Sequence, residues 1–211
     1  RLRYYSTQQS LPIIEDGFTI YLYPKVRKDT ESWTPRPYGS WKLISSIDRA
    51  TTIHDLFEVR QGIRTGNKKV FIIPSEKWQA LPDQERQYFR PSIVNESVRF
   101  GYIRLISYTF FPYGDGLEIF SEEQLRQVLP TYFHEYLLPN KSRLTERAGI
   151  DPQKWWLLTR HRTMSLENNP KIVSTYFGDA GSFGLDVEGN FLVVEGSAWL
   201  AREKGYFGAL S

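Results

Sequence analysis

The sequence predicts an α+β fold, because strand-like runs and short helical segments are mixed along the chain. Residues 70–73 and 191–194 are short apolar runs of the kind found in buried strands. Residues 121–138 instead carry apolar side chains at helical spacing, with Ser121 as a good N-cap and Pro130 as an interruption. We therefore predict two short helices there, beside a sheet core.

Length and composition limit the possible classes of protein. A chain of 211 residues can bury a sizeable core as one large domain or a two-lobed one, and 13 Phe, 13 Tyr and 6 Trp supply material for it. Cysteine is absent and the three histidines lie far apart, which argues against a zinc site and favours a reducing, cytoplasmic compartment. No apolar run approaches the roughly 18 residues of a membrane span, so we predict no membrane association.

The N-terminal quarter is less informative. Residues 18–23 predict a strand or buried run, residues 25–39 a proline-containing loop, and residues 41–44 a return to the core. A short helix or turn is predicted over residues 47–57, ahead of a strand at 57–61, and we interpret His54 as structural. Because the chain begins without Met, we expect it to be part of a longer protein.

The most distinctive stretch is a glycine-punctuated basic turn, residues 62–71, ahead of the predicted strand at 70–73. Residues 60–74 contain four basic residues and no acidic one: Arg60, Arg64, Lys68 and Lys69. Gly62 and Gly66 permit positive φ, while Thr65 and Asn67 offer short polar side chains for local or ligand contacts. The pattern suits a polyanion, although a solvated hairpin tip has the same composition.

Further elements follow in order. Helices are predicted from residues 74–75 and from Pro82, and the second ends at 90–93. A long strand is predicted over residues 100–112, before a turn at 113–116. After the helical region, a turn leads into a strand at 171–177. The segments 185–187 and 191–194 then predict a hairpin that turns at residues 188–190.

A second basic region covers residues 136–171, with seven basic and three acidic residues. Lys141, Arg143 and Arg147 lie near a predicted helix that Gly149 can end. The pair Trp155 and Trp156 precedes the basic run of Arg160, His161 and Arg162, and Lys171 begins the next strand. We interpret the tryptophans as core residues, with stacking on a base as the alternative.

Catalytic motifs are missing from the sequence. The Gly62 to Gly66 spacing lacks the Lys-Ser/Thr ending of a phosphate-binding loop. Four carboxylates could pair as acid and base, but nothing in the sequence selects two of them, and we interpret them as structural or solvated: Asp115, Glu118, Asp186 and Glu195. We expect no catalytic, metal or cofactor site here. Basic turns with Arg, Asn and Gln suit DNA phosphates and base edges.

Several short blocks resemble one protein family. They are Gly62-Ile63-x-Thr65-Gly66-Asn67-x-x-Val70-Phe71, Tyr88-Phe89-Arg90-Pro91, Tyr136-Leu137, Lys141-x-x-Leu144-x-x-Arg147, Trp155-Trp156-x-Leu158-x-Arg160 and Pro170-Lys171-Ile172-Val173. In this order, over roughly residues 55–195, they resemble the C-terminal target recognition (specificity) domain of TaqI-like adenine-specific DNA methyltransferases, a family that includes fused restriction–modification enzymes.

The resemblance implies a fold of mixed, curved β-sheets with peripheral helices. It also implies a bacterial enzyme in which one domain carries out catalysis and another recognises DNA. Residues 1–54 would be a linker and first strands leading from a separate catalytic domain, and residues 55–211 would recognise double-stranded DNA. The catalytic domain would bind S-adenosylmethionine and hold a flipped adenine with an Asn-Pro-Pro-Tyr motif, which Asn169-Pro170-Lys171 does not replace.

From the residues and the resemblance together, the predicted DNA-binding residues are Arg60, Arg64, Thr65, Asn67, Lys68, Lys69, Lys141, Arg143, Arg160, Arg162 and Lys171. The domain alone should bind duplex DNA weakly, with strong salt dependence and without methyl transfer. One alternative is a protein-interaction or scaffold domain with solvated basic turns. Another, an independent hydrolase, requires an acid pair or metal site that the sequence does not reveal.

Overall fold

The computed structural model describes residues 13–15, 18–20, 52–114, 116–162, 169–176 and 182–203, with the first two segments described by their backbone alone. The chain divides into two units, Arg1–Thr52 and Ile53–Ser211. In the first unit, β1 (Ile13–Glu15) and β2 (Phe18–Ile20) form an antiparallel pair, so a strand occurs where one was predicted from residue 18. The predicted loop at 25–39 and the run at 41–44 lie outside the described residues.

Two four-stranded sheets form the second unit. The strands are β3 (Phe57–Gln61), β4 (Ile72–Pro74), β5 (Phe89–Ile93), β6 (Val98–Arg99), β7 (Tyr102–Ile103), β8 (Ser107–Phe110), β9 (Lys171–Thr175), β10 (Phe183–Asp186), β11 (Leu192–Val193) and β12 (Gly196–Ala201). One sheet has the antiparallel order β10-β9-β12-β3. The other, β11-β5-β8-β4, is mixed because β11 runs parallel to β5. A β6–β7 ribbon completes the strands described, and the α+β prediction is confirmed.

The helices are short. They are α1 (Ile53–Leu56), α2 (Lys68–Phe71), α3 (Ser75–Ala80), α4 (Asp83–Arg86), α5 (Glu122–Val128), α6 (Pro130–Tyr132) and α7 (Lys141–Thr145). As predicted, Ser121 caps α5: its hydroxyl accepts a hydrogen bond from the Gln124 N–H at 3.1 Å. Pro130 begins α6 after a break, and a π-helical turn at Phe133–Leu137 follows. No helix in the described part of the chain is long and apolar enough to cross a membrane.

Aromatic side chains fill the larger core. Tyr132 lies against Phe89 and Phe110 with ring centroids 4.9 and 5.1 Å apart, and its hydroxyl donates to the Val70 carbonyl at 2.9 Å. Trp155 and Trp156 are both almost fully buried. The core interpretation of these two tryptophans is therefore confirmed, and neither presents a face for stacking on a base.

Two predictions of local structure need correction. The run at 70–73 does not begin as a strand, because the Asn67 carbonyl accepts a hydrogen bond from the Phe71 N–H and closes one helical turn over Lys68–Phe71. Only Ile72–Pro74 is extended. Residues 90–93 belong to strand β5 rather than to a helix end, since β5 is paired on both sides, to β8 and β11.

Two further predictions also fail in detail. The strand predicted at 100–112 is divided into β7 and β8, with Phe100 at a φ of 49°. The predicted hairpin at 185–194 does not form, because β10 pairs with β9 while β11 pairs with β5. The turn between them exists, and the Asp186 carboxylate holds it by accepting from the N–H groups of Gly189, Asn190 and Phe191. It directs the chain from one sheet to the other.

Candidate nucleic-acid interface

The basic turn starts where β3 ends and is fixed by the backbone of the C-terminal strands. The Gly62 N–H donates to the Gly196 carbonyl and the Ile63 N–H to the Val193 carbonyl, both at 2.9 Å. A Cβ atom on Gly62 would lie 2.5 Å from the Val193 oxygen, so only glycine fits this close approach. The start of the turn is therefore rigid.

Arg64 and Arg160 form an isolated antiparallel bridge that joins the two basic regions. Each backbone N–H donates to the carbonyl of the other residue at 2.9 Å. Residues directly opposite each other in such a pair project their side chains from the same face. Both side chains are exposed, whereas the neighbouring Thr65 is buried. The bridge thus places two exposed arginines opposite each other at the surface.

The next residue in the turn, Gly66, has a φ of 78°, which side-chain-bearing residues rarely adopt. A Cβ atom there would overlap the Thr159 hydroxyl, next to the bridge residue Arg160. Both the backbone conformation and the available space require glycine at this position.

Arg147 ties the turn to the helical region. Its guanidinium donates to four backbone carbonyls, those of Thr65 (2.7 Å), Leu144 (2.9 Å), Trp155 (2.5 Å) and Leu157 (2.9 Å). It also lies over the Phe71 ring at 4.8 Å. Burial lowers the pKa of Arg147 to about 10, so it stays charged at neutral pH. Arg147 therefore holds the backbone of the turn at Thr65. It was not among the predicted DNA-binding residues.

A ring stack fixes the second basic segment. The rings of Tyr113 and His161 stack at 4.2 Å, and the Tyr113 hydroxyl accepts a hydrogen bond from the Leu158 N–H at 2.7 Å. Burial raises the pKa of Tyr113 to about 12. The stack holds the backbone on both sides of Arg160. Nothing local in the sequence indicates this contact, because its partners are distant along the chain.

Several of the predicted DNA-binding residues are held by other groups of the protein. Arg60 is bound to Glu58 at 2.8 and 3.0 Å, and Arg162 donates to the carbonyls of Gln61 and Gly62 at 2.9 and 2.8 Å. Lys68 forms an ion pair with Glu195. These contacts brace the base of the turn, although Lys68 remains well exposed.

Lys171 lies in the interior. Its ammonium pairs with Asp186 at 2.8 Å and donates to the Gly189 carbonyl at 2.9 Å, with both charged side chains at most 3% exposed. Such a position suits a structural role and does not suit contact with a DNA phosphate. We therefore leave Lys171 out of the interface.

Lys141 is part of a half-exposed polar network on α5 and α7. Glu122 accepts hydrogen bonds from Lys141 at 2.7 and 2.9 Å and from the Trp155 indole at 2.9 Å. The hydrogen bonds from Lys141 are the main cause of a lowered pKa of Glu122. This network connects the basic helix α7 to the core.

Replacing Glu122 with Gln should lower the free energy of unfolding by about 1–2 kcal/mol at pH 7, since charge-assisted hydrogen bonds are lost from a partly exposed site. The folded-state pKa is depressed, so this contribution is present above the unfolded value of 4.5 and disappears as pH falls through the folded pKa. Urea unfolding from pH 7 to 3 should show wild type and variant converging. The matched control, Glu123→Gln on the same helical turn, should change stability by less than about 0.5 kcal/mol. A constant difference at all pH values would contradict the assignment.

Four cations of the predicted site remain available. Among the residues that the structure describes, their charged groups are exposed and make no ion pair or side-chain hydrogen bond: Arg64, Lys69, Arg143 and Arg160. Asn67 is half-buried beside them in the turn, and the backbone carbonyl of the buried Thr65 is occupied by Arg147. We call the four cations the open basic set.

The acidic residues considered as catalytic candidates have structural roles where the structure describes them. Asp186 holds a turn, Glu195 binds Lys68 and the Asn95 N–H, and Glu118 accepts from the Gly114 N–H at 3.1 Å. Asp115 lies outside the described residues. Within the described part of the chain, no three His, Asp or Glu side chains are grouped so that they could hold a metal ion.

Comparison with known proteins gives a likeness of fold. No family model matches the sequence, and no curated protein does. Among solved structures, the Type IIL restriction–modification enzyme MmeI, determined in complex with DNA, is similar with a TM-score of 0.51 and 11% identity. The match covers 77% of this chain and 21% of that one, so the chain spans about a fifth of MmeI. This chain therefore shares its fold with part of a restriction–modification enzyme.

Proposed function

We propose that this chain is the DNA target recognition domain of an adenine-specific DNA methyltransferase or a fused restriction–modification enzyme. In this proposal it binds duplex DNA through the open basic set. A separate, covalently linked N-terminal domain binds S-adenosylmethionine and transfers the methyl group. A base in a duplex must be flipped out to be modified, and that domain holds the flipped adenine.

The observation that carries the proposal is the Arg64–Arg160 bridge. Like charges directly opposite each other in a β-pair destabilise it, and the described residues provide no acidic partner for either side chain. Bound phosphates or guanine edges would relieve this repulsion, since both accept bidentate hydrogen bonds from a guanidinium. The fold shared with MmeI, whose solved structure contains DNA, gives independent support.

Duplex binding by the purified chain tests the proposal. Affinity measured by fluorescence anisotropy should fall steeply as salt rises, with the slope of log K against log salt reporting the number of phosphates neutralised. Lys69→Ala and Arg143→Ala should each reduce that slope by about 1. The double variant Arg64→Ala/Arg160→Ala should weaken binding by more than about tenfold.

Arg104→Ala serves as the matched control, because it removes one exposed arginine outside the open basic set. Its effect should be smaller than that of either bridge arginine. Equal losses in all variants would indicate general electrostatic attraction rather than this interface. Absence of duplex binding at low salt, together with a protein that co-purifies with the chain, would favour the scaffold alternative.

A further inference from the structure

We infer that Arg64 and Arg160 are the specificity-determining residues, each reading a guanine in the major groove at neighbouring base pairs, whereas Lys69 and Arg143 contact phosphates. The inference rests on the proposed DNA-recognition function and assigns different roles within the open basic set.

Rigidity distinguishes the two bridge arginines from the other cations. Base reading needs an arginine whose backbone is held in place, because both hydrogen bonds of its guanidinium must match one base edge. The backbone of Arg64 is fixed by the bridge itself, by the Val193 bond to Ile63 on one side and by the Arg147 bond to Thr65 on the other. Among the described residues, neither Lys69 nor Arg143 has its backbone held by contacts from so many parts of the fold.

The second arginine is fixed equally well. Leu158, two residues before Arg160, donates its N–H to Tyr113, and His161, the residue after Arg160, stacks on the same tyrosine ring. Arg162 follows with a φ of 46° and clamps the carbonyls of Gln61 and Gly62, on the opposing segment. Both segments of the bridge are therefore preorganised before any ligand binds.

The spacing of the pair fits stacked bases. Residues in a hydrogen-bonded antiparallel pair have Cα atoms about 5.5 Å apart, and successive bases along one DNA strand are about 3.4 Å apart. The two side chains can therefore reach one base pair and its neighbour. Guanine presents O6 and N7 together in the major groove, and this pair of acceptors matches the fork of an arginine. The major groove is wide enough for two extended segments.

The remaining two cations have the features of phosphate contacts. Lys69 lies on the single-turn helix α2 and carries a compact charge without a fixed hydrogen-bonding plane. Arg143 extends from α7, and the described residues place no partner against its guanidinium. Side chains of this kind can contact a backbone phosphate, and such a contact carries no sequence information.

Selection from a random duplex library by the purified chain separates the two roles. The wild-type protein should enrich sites with guanines at adjacent base pairs. Arg64→Ala and Arg160→Ala should each lose the guanine preference at one position. Lys69→Ala and Arg143→Ala should lower affinity for all sequences and leave the enriched site unchanged.

Substitution of 7-deazaguanine, which lacks the N7 acceptor, adds a second readout. At each selected guanine it should weaken wild-type binding by about three- to tenfold, and it should have no effect on the variant whose arginine reads that guanine. Urea unfolding of each variant confirms that the loss of preference is not a loss of fold.

Other outcomes would overturn the inference. If both alanine variants enrich the wild-type site, or if the wild-type chain binds duplexes without any guanine preference, the bridge arginines do not read guanine, while DNA binding itself stands. If the wild-type chain binds no duplex at low salt, the proposed function fails together with this inference.

Discussion

Replacing Arg147 with Lys is expected to lower the free energy of unfolding by about 2–4 kcal/mol, although the charge is retained. The planar guanidinium donates to four carbonyls from three segments of the chain. An ammonium has three donors in a tetrahedral arrangement and cannot reproduce that pattern. At least one half-buried carbonyl would lose its partner, and the contact over the Phe71 ring would weaken.

Urea unfolding of the variant measures the loss, with Arg104→Lys as the matched control because the same exchange at an exposed arginine should change stability by less than about 0.5 kcal/mol. The folded variant should also bind duplex DNA more weakly, since the Thr65 carbonyl loses its anchor. Wild-type stability in Arg147→Lys would show that water or neighbouring donors satisfy these carbonyls.

Replacing Asp186 with Asn should destabilise the protein by about 3–5 kcal/mol, because it leaves the Lys171 ammonium buried without a counter-charge. The carboxylate also accepts three backbone N–H groups of the turn at residues 189–191. An amide has one acceptor oxygen, so its NH₂ group would face one of these donors.

A double-mutant cycle with Lys171→Met checks this second prediction. The double variant should lose less stability than the sum of the two single variants, by about 1–3 kcal/mol, because no unpaired charge remains. Each variant that remains folded should bind DNA as wild type does, consistent with leaving Lys171 out of the interface. Strict additivity would mean that the interaction energy between Lys171 and Asp186 is zero.

Local signals were the ones that sequence reasoning interpreted correctly. Ser121 and the apolar spacing after it predicted α5, and Pro130 predicted the break, because capping and periodicity depend on residues within one or two turns. The tryptophan pair, Trp155 and Trp156, is buried in the core as predicted. The two basic regions were also identified, although nothing local indicated that they meet at Arg64 and Arg160.

Predictions failed where a distant partner decides the outcome. The segments around residues 188–190 look like a hairpin, but the strands on either side pair with β9 and β5 instead. In the sequence Lys171 looks like the other basic residues, but in the fold its ammonium pairs with Asp186 in the interior. Arg147 likewise gains its role from Thr65, which lies 82 residues earlier in the chain. Composition and spacing carry no information on such contacts.

The joining of the two basic regions has a consequence for folding. Arg162 contacts the Gly62 carbonyl across 100 residues of intervening sequence, and closing so long a loop carries an entropic penalty that local helices do not pay. A peptide containing only residues 60–71 would therefore contain the basic residues of the turn but not their folded arrangement. Nascent or partly unfolded chains would attract polyanions through charge alone, and the ordered arginine pair would exist only after the chain has closed.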